Sequence, residues 1–320
     1  MSKNKFMNWF FTYGIVIVLA LVIIVFSIGS PNFLKFSTIF TILKQISITG
    51  IISIGMTFVI LTGGIDLSVS SVAGLTSVTA AMLMLNGASP LVAIIISLCL
   101  SAIYGFINSF FITRVNIPPL IATLGMETSL RGLAFIITGG LPVFGFNKSF
   151  GNFAKGQLFG VPYPVFLFVA LFIICLIILS KTCIGRYVYA VGGNAEATRL
   201  SGISIIRVKM FAYILNGFLA GIAGLVLLSR TNSGQPSAGT GYEMDAITSV
   251  ALGGVNLSGG DGKLPLVIVG TLIMGILSTG MLMLNISDYV QQLIKGIVLL
   301  GAVSYANISL SIRTKMAEKN

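Results

Sequence analysis

The chain has 320 residues, of which 56% are hydrophobic and 8% are charged, and its mean hydropathy is +1.03. Soluble domains carry about 25% charged residues, so this composition excludes a soluble fold. It predicts instead an all-α, polytopic integral membrane protein organised as one transmembrane domain over residues 1–320. The net charge of +11 does not indicate nucleic-acid binding, because the basic residues stand singly at the ends of apolar stretches.

Ten apolar stretches bounded by Pro, Gly, Asn or charged residues predict about ten transmembrane helices. The eighth stretch is short and rich in glycine, and it is the weakest of the ten. The stretches are 10–29, 46–61, 67–85, 91–112, 119–138, 163–180, 208–229, 246–257, 264–284 and 290–308.

The basic residues outside these stretches concentrate on one side of the membrane. With both termini in the cytoplasm, the cytoplasmic segments hold most of them, as the positive-inside rule requires. These cytoplasmic residues are Lys3, Lys5, Arg114, Lys181, Arg186, Arg199, Arg207, Lys209, Lys263, Arg313, Lys315 and Lys319, against Lys35, Lys44, Lys148, Lys155 and Arg230 on the other side.

A six-residue motif occurs twice and interrupts the apolar pattern each time. Gly63-Gly64-Ile65-Asp66-Leu67-Ser68 returns as Gly253-Gly254-Val255-Asn256-Leu257-Ser258. Paired Gly-interrupted breaks indicate a transport pathway. The pathway candidates are therefore Gly63, Gly64, Asp66, Ser68, Gly253, Gly254 and Asn256. The two copies run in the same direction if the eighth stretch crosses the membrane, and in opposite directions if it does not.

The role of Asp66 has two interpretations. Its carboxylate either lines a polar cavity or caps the N-terminus of the following helix. Asn256 occupies the same place in the second copy and caps as well as Asp does, which favours capping.

Several ionisable residues fall inside or next to apolar stretches. Glu127 and Arg131 are spaced i, i+4, which suits either a place on the pathway or an internal ion pair. Lys295 has no partner within its own stretch and is expected to snorkel or to pair across helices. Tyr242, Glu243 and Asp245 precede the eighth stretch on the outer side, where they are either docking residues for an extracellular partner or an acidic helix N-terminus.

Residues 181–209 form a basic loop predicted to face the cytoplasm. Asn194 is a good N-cap, Glu196 falls in the first turn of the helix that it would cap, and Gly202 suits the residue after the helix end. The loop is either a handle for a cytoplasmic partner or a solvated charged segment.

Other chemistry has less support. The chain has no G-x-x-x-x-G-K-[ST] motif and no histidine, so we expect no nucleotide, metal or other cofactor bound by this chain. Gly260-Asp261 with Asp66 resembles the dyad of a membrane aspartyl protease, although a solvated turn explains Asp261 better. A proton-coupled carrier would need more buried acids than the sequence offers.

Four segments together resemble the permease subunits of bacterial ABC sugar importers, a family that includes ribose, xylose, arabinose and galactose permeases. They are ILTGGIDLSVSSVAGLTS at 60–77, IPPLIATLGMETSLRGLAFIITGG at 117–140, GRYVYAVGGNAEATRLSGI at 185–203 and ALGGVNLSGGDGK at 251–263. Glu127 departs from the family pattern, because many members carry Gly-Thr or Gly-Gly where this chain has Gly125-Met126-Glu127.

The resemblance implies a permease in the bacterial cytoplasmic membrane that acts as a homodimer or with a similar partner. It implies two ATPase domains on another polypeptide, which bind ATP and Mg²⁺, and a sugar-binding protein that docks from outside. It also implies that the ATPase-coupling segment contains Asn194, Ala195, Glu196, Ala197, Arg199 and Gly202. Ribose is the first expectation for the sugar, and the alternatives are branched-chain amino acids or a furanosyl signalling compound.

Overall fold

The structure, a computed structural model, describes the backbone of residues 3–146 and 148–317 and the side chains of residues 14–146, 150, 151 and 153–304. Six of its helices are long and apolar enough to cross a membrane, and two shorter apolar helices, Gly14–Gly29 and Val69–Leu85, accompany them among the described residues. Some basic residues used for the topology prediction lie outside the described side chains: Lys3, Lys5, Lys148, Arg313, Lys315 and Lys319.

Most helices follow the predicted stretches to within three residues, but the helix predicted at 46–61 begins at Phe36, so Lys44 lies within it and not in an outer loop. In chain order they are α1 Lys3–Gly29, α2 Phe36–Leu61, α3 Val69–Leu85, α4 Pro90–Thr113, α5 Pro119–Thr138, α6 Lys148–Lys155, α7 Tyr163–Lys181, α8 Cys183–Gly193, α9 Ala195–Leu200, α10 Ile205–Thr231, α11 Tyr242–Leu252, α12 Leu264–Met283 and α13 Asp288–Ala317. A two-residue antiparallel hairpin, β1 Gln157–Leu158 and β2 Val161–Pro162, precedes α7.

Helix α2 lies at the centre of the bundle. Every residue from Ile46 to Leu61 is buried, including four hydroxyl side chains. A buried hydroxyl needs a partner, and these donate to the carbonyl four residues earlier, as in Ser53 to Thr49 O at 2.8 Å and Thr57 to Ser53 O at 2.7 Å. Hydroxyl groups are therefore tolerated in the central helix because the helix itself satisfies them.

Helix α10 packs closely on α3 and α4 through small residues. Gly217 and Gly221 lie against Ser101 of α4, and Gly224 lies against the backbone of Ala73 in α3. A side chain at any of these positions would collide with the facing helix. Small residues at helix contacts are what membrane bundles use, because lipid supplies no hydrophobic force to drive helices together.

The eighth crossing is a broken segment rather than a complete helix. Gly234 packs against Ala81 near the end of α3, and Gly239 packs against Ser70 near its start. Residues 233–240 thus run along α3 in the opposite direction to it, without regular structure. Helix α11 then continues towards the end of the bundle where α3 begins. Its 11 residues span only about 16 Å of a hydrocarbon core roughly 30 Å thick.

This broken segment settles the direction of the repeat. Residues 233–240 and α11 together run from the end of the bundle that holds the C-terminus of α10 to the end that holds Gly63. Both copies of the six-residue motif therefore follow a segment that runs the same way, as the ten-stretch count predicted. The helix itself ends at Leu252, before the glycines, so the predicted stretch 246–257 is wrong at its C-terminal end.

The two long loops contain elements that the sequence analysis did not predict. Helix α6 and the hairpin β1–β2 lie within residues 139–162, and Ala154 N donates to Ser229 Oγ at 2.9 Å, which places them beside the C-terminal end of α10. Helix α8 lies within residues 181–209, at the opposite end of the bundle, where α10 begins.

Candidate functional site

The two glycine breaks meet at one end of the bundle. Gly63 lies beside the carbonyl of Ser258, and Gly260 N donates a hydrogen bond of 3.0 Å to Leu61 O. The structure thus brings together the two motifs that the sequence places 190 residues apart. We call this contact region, with residues 61–64, 192–193 and 258–260, the glycine junction.

The two copies share a turn but differ in their helix ends. Asp66 Oδ1 accepts from Ser68 N at 3.0 Å, and Asn256 Oδ1 accepts from Ser258 N at the same distance. The left-handed residue that ends the preceding helix is the first glycine in one copy (Gly63, φ +77°) and the second in the other (Gly254, φ +73°). The motif therefore encodes the same Asx turn twice, with helix ends that differ by one residue.

Asp66 is the centre of a buried polar network that joins three helices. Its side chain accepts from Ser68 Oγ at 2.6 Å, from Asn108 Nδ2 of α4 at 3.4 Å and from Asn216 Nδ2 of α10 at 2.9 Å. Asn108 Nδ2 also donates to Ser68 Oγ at 2.8 Å. The residue is only 1% exposed.

The two sequence interpretations of Asp66 have different outcomes. Asp66 Oδ1 accepts from the amide of Ser68, which already has helical φ and ψ and immediately precedes Val69 at the start of α3, as the capping interpretation predicted. Asp66 and Ser68 are buried in the chain, however, so they do not line an open cavity. The network attaches the first break to α4 and α10. Sequence reasoning missed Asn108 and Asn216, although polar residues within apolar stretches are a usable signal.

Arg131 hydrogen-bonds to the part of the broken segment that precedes α11. Its Nη1 donates to Pro236 O and to Ala238 O, each at 2.9 Å, and its Nε lies 3.6 Å from Glu127 Oε1. Backbone carbonyls outside regular structure need donors at membrane depth, and the guanidinium provides them. The predicted i, i+4 ion pair is present, and the partners of Arg131 in the broken segment are new.

The residues before the eighth stretch lie deeper than expected. Asp245 is 4% exposed, and its Oδ2 accepts from Lys295 Nζ of α13 at 2.8 Å. Tyr242 and Glu243 are half-buried, next to the point where Gly239 meets α3. This placement argues against Tyr242, Glu243 and Asp245 as an outer docking surface. The alternative, an acidic helix N-terminus, is confirmed, because Glu243 and Asp245 lie in the first turn of α11. Lys295 pairs across helices, which was one of its two expected outcomes.

Helix α9 has the form that the sequence predicted. Asn194 Oδ1 accepts from Ala197 N at 2.9 Å, and Gly202 follows the helix with φ +82°. Glu196 and Arg199 form a two-bond ion pair, and this contact lowers the pKa of the Glu196 carboxyl.

The exposed surface of α9 is available to a partner. Ala195, Glu196, Ala197 and Arg199 are all exposed. An exposed ion pair adds little to stability, so these residues are not explained by folding alone.

Helix α8 connects α9 to the glycine junction. Gly192 lies against Leu61 O, and a Cβ at this position would also stand 2.5 Å from Gly260 N. Tyr189 Oη donates to Gly262 O at 2.9 Å. Helix α8 thus touches both breaks through backbone atoms, with no flexible side chain between Gly192 and either of them. The sequence analysis did not single out Gly192.

Comparison with known proteins gives one family and several named relatives. The family model for the permease component of branched-chain amino acid transport systems matches residues 38–303. The chain is 43% identical to the ribose import permease protein RbsC of Bacillus subtilis (strain 168) over 89% of each chain. It is 42% identical to RbsC of Escherichia coli (strain K12) over 93% of this chain and 94% of the relative.

A third relative carries another sugar in its name. The L-arabinose transport system permease protein AraH of Escherichia coli (strain K12) is 39% identical over 92% of this chain and 89% of the relative. No solved structure matches the chain significantly. The family model and these relatives cover the motifs on which the resemblance rested, and they confirm it. The chain belongs to the family of transport-system permease components, which are membrane transporter subunits and not enzymes.

Proposed function

We propose that this chain is the membrane-spanning subunit of an ATP-driven importer that carries a monosaccharide, ribose first, into the cytoplasm. The names and near-complete coverage of the ribose and arabinose relatives support a sugar. The family description supports branched-chain amino acids as the second candidate. ATP and Mg²⁺ bind to a separate ATPase subunit, and a sugar-binding protein delivers the sugar from outside.

The glycine junction lies on the cytoplasmic side in this proposal, and both termini face the cytoplasm. Basic residues support that orientation: Arg186 and Arg199 lie in α8 and α9, and Lys181 and Lys263 lie close to α8 and to the second break. The segment 139–162 then faces outward, where the binding protein docks. Residues 1–320 act as one permease domain paired with a second copy.

The observation that carries the mechanism is the backbone contact of Gly192 with Leu61 O and with Gly260. Closure of the ATPase domains moves α9, and α8 passes this displacement to both breaks at once. Closely packed backbones switch between discrete arrangements and do not deform continuously. A small shift of α8 therefore moves α2 and α11 together. Access to the pathway then alternates between the two sides of the membrane.

Copurification and transport test the function together. A tagged chain purified in mild detergent from its native membranes is expected to bring an ATPase subunit in roughly equal amount. Reconstituted with that subunit and the binding protein, it should accumulate labelled ribose only when ATP is supplied on the side of the ATPase. Accumulation of leucine and not ribose would select the amino acid alternative. Ion-driven uptake by the chain alone would contradict the proposal.

A further inference from the structure

A cavity of about 610 Å³ lies between α11 and α13. This volume falls within the range of roughly 300–1,000 Å³ that is common for small-molecule sites. Thr248 of α11 and Gln291, Gln292 and Lys295 of α13 are among the residues that line it. The cavity is distinct from the glycine junction, and none of these four residues was among the sequence candidates for the pathway.

The cavity explains an unusual face of α13. Polar residues follow one another along one side of the helix at spacings of three or four, with Asp288, Gln291 or Gln292, and Lys295 all on the cavity wall. The opposite side is apolar and 60–85% exposed, as expected for contact with lipid, at Tyr289, Leu293, Ile297 and Leu300. Because hydrocarbon cannot hydrogen-bond such polar groups, a polar face on a membrane helix must face protein or water.

The ion pair between Asp245 and Lys295 stabilises the wall of the cavity. The 2.8 Å contact joins α11 to α13, and the carboxylate is almost fully buried. The carboxylate of Asp245 offsets the positive charge of the ammonium group and so weakens its attraction for a ligand carboxylate. Acidic Glu243 and Asp288 also line the cavity, and they disfavour an anionic ligand electrostatically.

The remaining groups suit a neutral polyhydroxylated molecule. The amides of Gln291 and Gln292 both donate and accept hydrogen bonds, and carboxylates accept them from hydroxyl groups. Gln291 Nε2 already donates one hydrogen bond to Ile286 O at 2.8 Å, whereas the side chain of Gln292 is exposed.

From these contacts we propose that the cavity between α11 and α13 is a weak binding site on the transport route for a neutral polyhydroxylated solute of monosaccharide size. Gln292 and Gln291 contact the solute, and the Asp245–Lys295 pair is a positioning element. The proposal rests on the proposed import function and narrows its substrate class, because the zwitterion of a branched-chain amino acid finds no free cation on the described cavity wall.

Filling the cavity tests the proposal directly. A Cβ at Gly296, on the cavity wall, meets no atom within 4 Å, so Gly296→Phe can fill the cavity without colliding with the backbone. The matched control is Gly301→Phe on the same helix, where a Cβ also meets no atom and the residue lines an apolar pocket instead. Both variants are reconstituted with the ATPase subunit and the binding protein.

We expect Gly296→Phe to lower ribose transport by about tenfold or more, because the width of a pathway limits permeation, and Gly301→Phe to leave it near wild type. Wild-type transport by an assembled Gly296→Phe complex would overturn the proposal that this cavity lies on the transport route, and it would leave the import function intact. Failure of the wild-type complex to transport any sugar would instead overturn the import function.

Cysteine accessibility provides a second readout that needs only a folded chain. Gln292→Cys and Leu293→Cys are compared after the three native cysteines are replaced by serine. A water-soluble methanethiosulfonate reagent is expected to modify Gln292→Cys, with protection by saturating ribose, and not to modify Leu293→Cys on the apolar face. No modification of Gln292→Cys would indicate a cavity filled by lipid, and a disulfide between two copies would indicate a dimer contact; either result overturns the proposal.

Discussion

The buried network at Asp66 supports a quantitative prediction about stability. In Asp66→Ala, three buried donors lose their acceptor, namely Ser68 N, Ser68 Oγ and Asn216 Nδ2, whereas Asn108 Nδ2 keeps its bond to Ser68 Oγ. Each buried donor left without a partner costs about 1–3 kcal/mol, so the substitution should destabilise the protein by about 3–9 kcal/mol. At about 2–4 °C per kcal/mol for a large domain, the thermal midpoint should fall by at least about 6 °C.

The second copy of the motif supplies the matched control. Asn256 Oδ1 accepts only from Ser258 N, and Ser258 is exposed, so water replaces the lost acceptor in Asn256→Ala. We expect a change within about 0.5 kcal/mol, as for an ordinary surface substitution. The assay is the fraction of monodisperse protein that remains after heating in detergent, followed by size-exclusion chromatography.

A third variant separates hydrogen bonding from charge. In Asp66→Asn, the new amide can donate to Asn216 Oδ1, which has no partner, once the Asn216 amide turns. Stability close to wild type is therefore expected. Equal midpoints for Asp66→Ala and Asn256→Ala would refute the network argument, and a loss in Asp66→Asn as large as in Asp66→Ala would show that the charge itself is required.

Three further predictions concern the junction, the coupling helix and the orientation. Gly192→Ala should reduce ATP-driven transport severely, because its Cβ would collide with Leu61 O. Gly193→Ala is the control and should transport normally, because its Cβ would have only one neighbour, at 4.0 Å. Normal transport by Gly192→Ala would contradict the proposed role of the glycine junction in coupling. Glu196→Lys should weaken ATPase copurification and uncouple transport, whereas Lys155→Glu, an equally large charge change at the opposite end of the bundle, should leave ATPase copurification unchanged. An equal loss of copurification in both variants would rule out a specific role for α9. The orientation is tested in a chain whose only cysteine is Cys183, an exposed residue that begins α8 on the proposed cytoplasmic side. A membrane-impermeant maleimide should label Cys183 in inverted vesicles and not in intact cells. Labelling in intact cells would reverse the proposed orientation.

The sequence predicted the helices well because the membrane imposes a strict length and polarity on each crossing. Stretches such as 119–138 and 163–180 agree with α5 and α7 to within one residue. The N-cap at Asn194 and the left-handed glycine at Gly202 could also be predicted from the sequence, because capping depends on residues a few positions apart.

The eighth crossing could not be predicted in the same way. Its first half has no regular structure, and two of its carbonyls, those of Pro236 and Ala238, accept from Arg131, more than 100 residues away in the chain. Nothing in the local hydropathy of residues 233–240 reports that donor. For the same reason Tyr242, Glu243 and Asp245 were expected on the outer surface, whereas they lie further into the bundle.

The sequence by itself determined the membrane class, most of the long helices, the position of the repeated turn and the family. The tertiary structure decided which of the repeated residues is buried, what α8 touches and which helix carries the polar cavity wall. Asp66 and Asn256 make the same local turn, yet only Asp66 meets Asn108 and Asn216. Local patterns fix turns and helices through near neighbours, whereas burial and contacts between helices depend on residues that only the packed chain brings together.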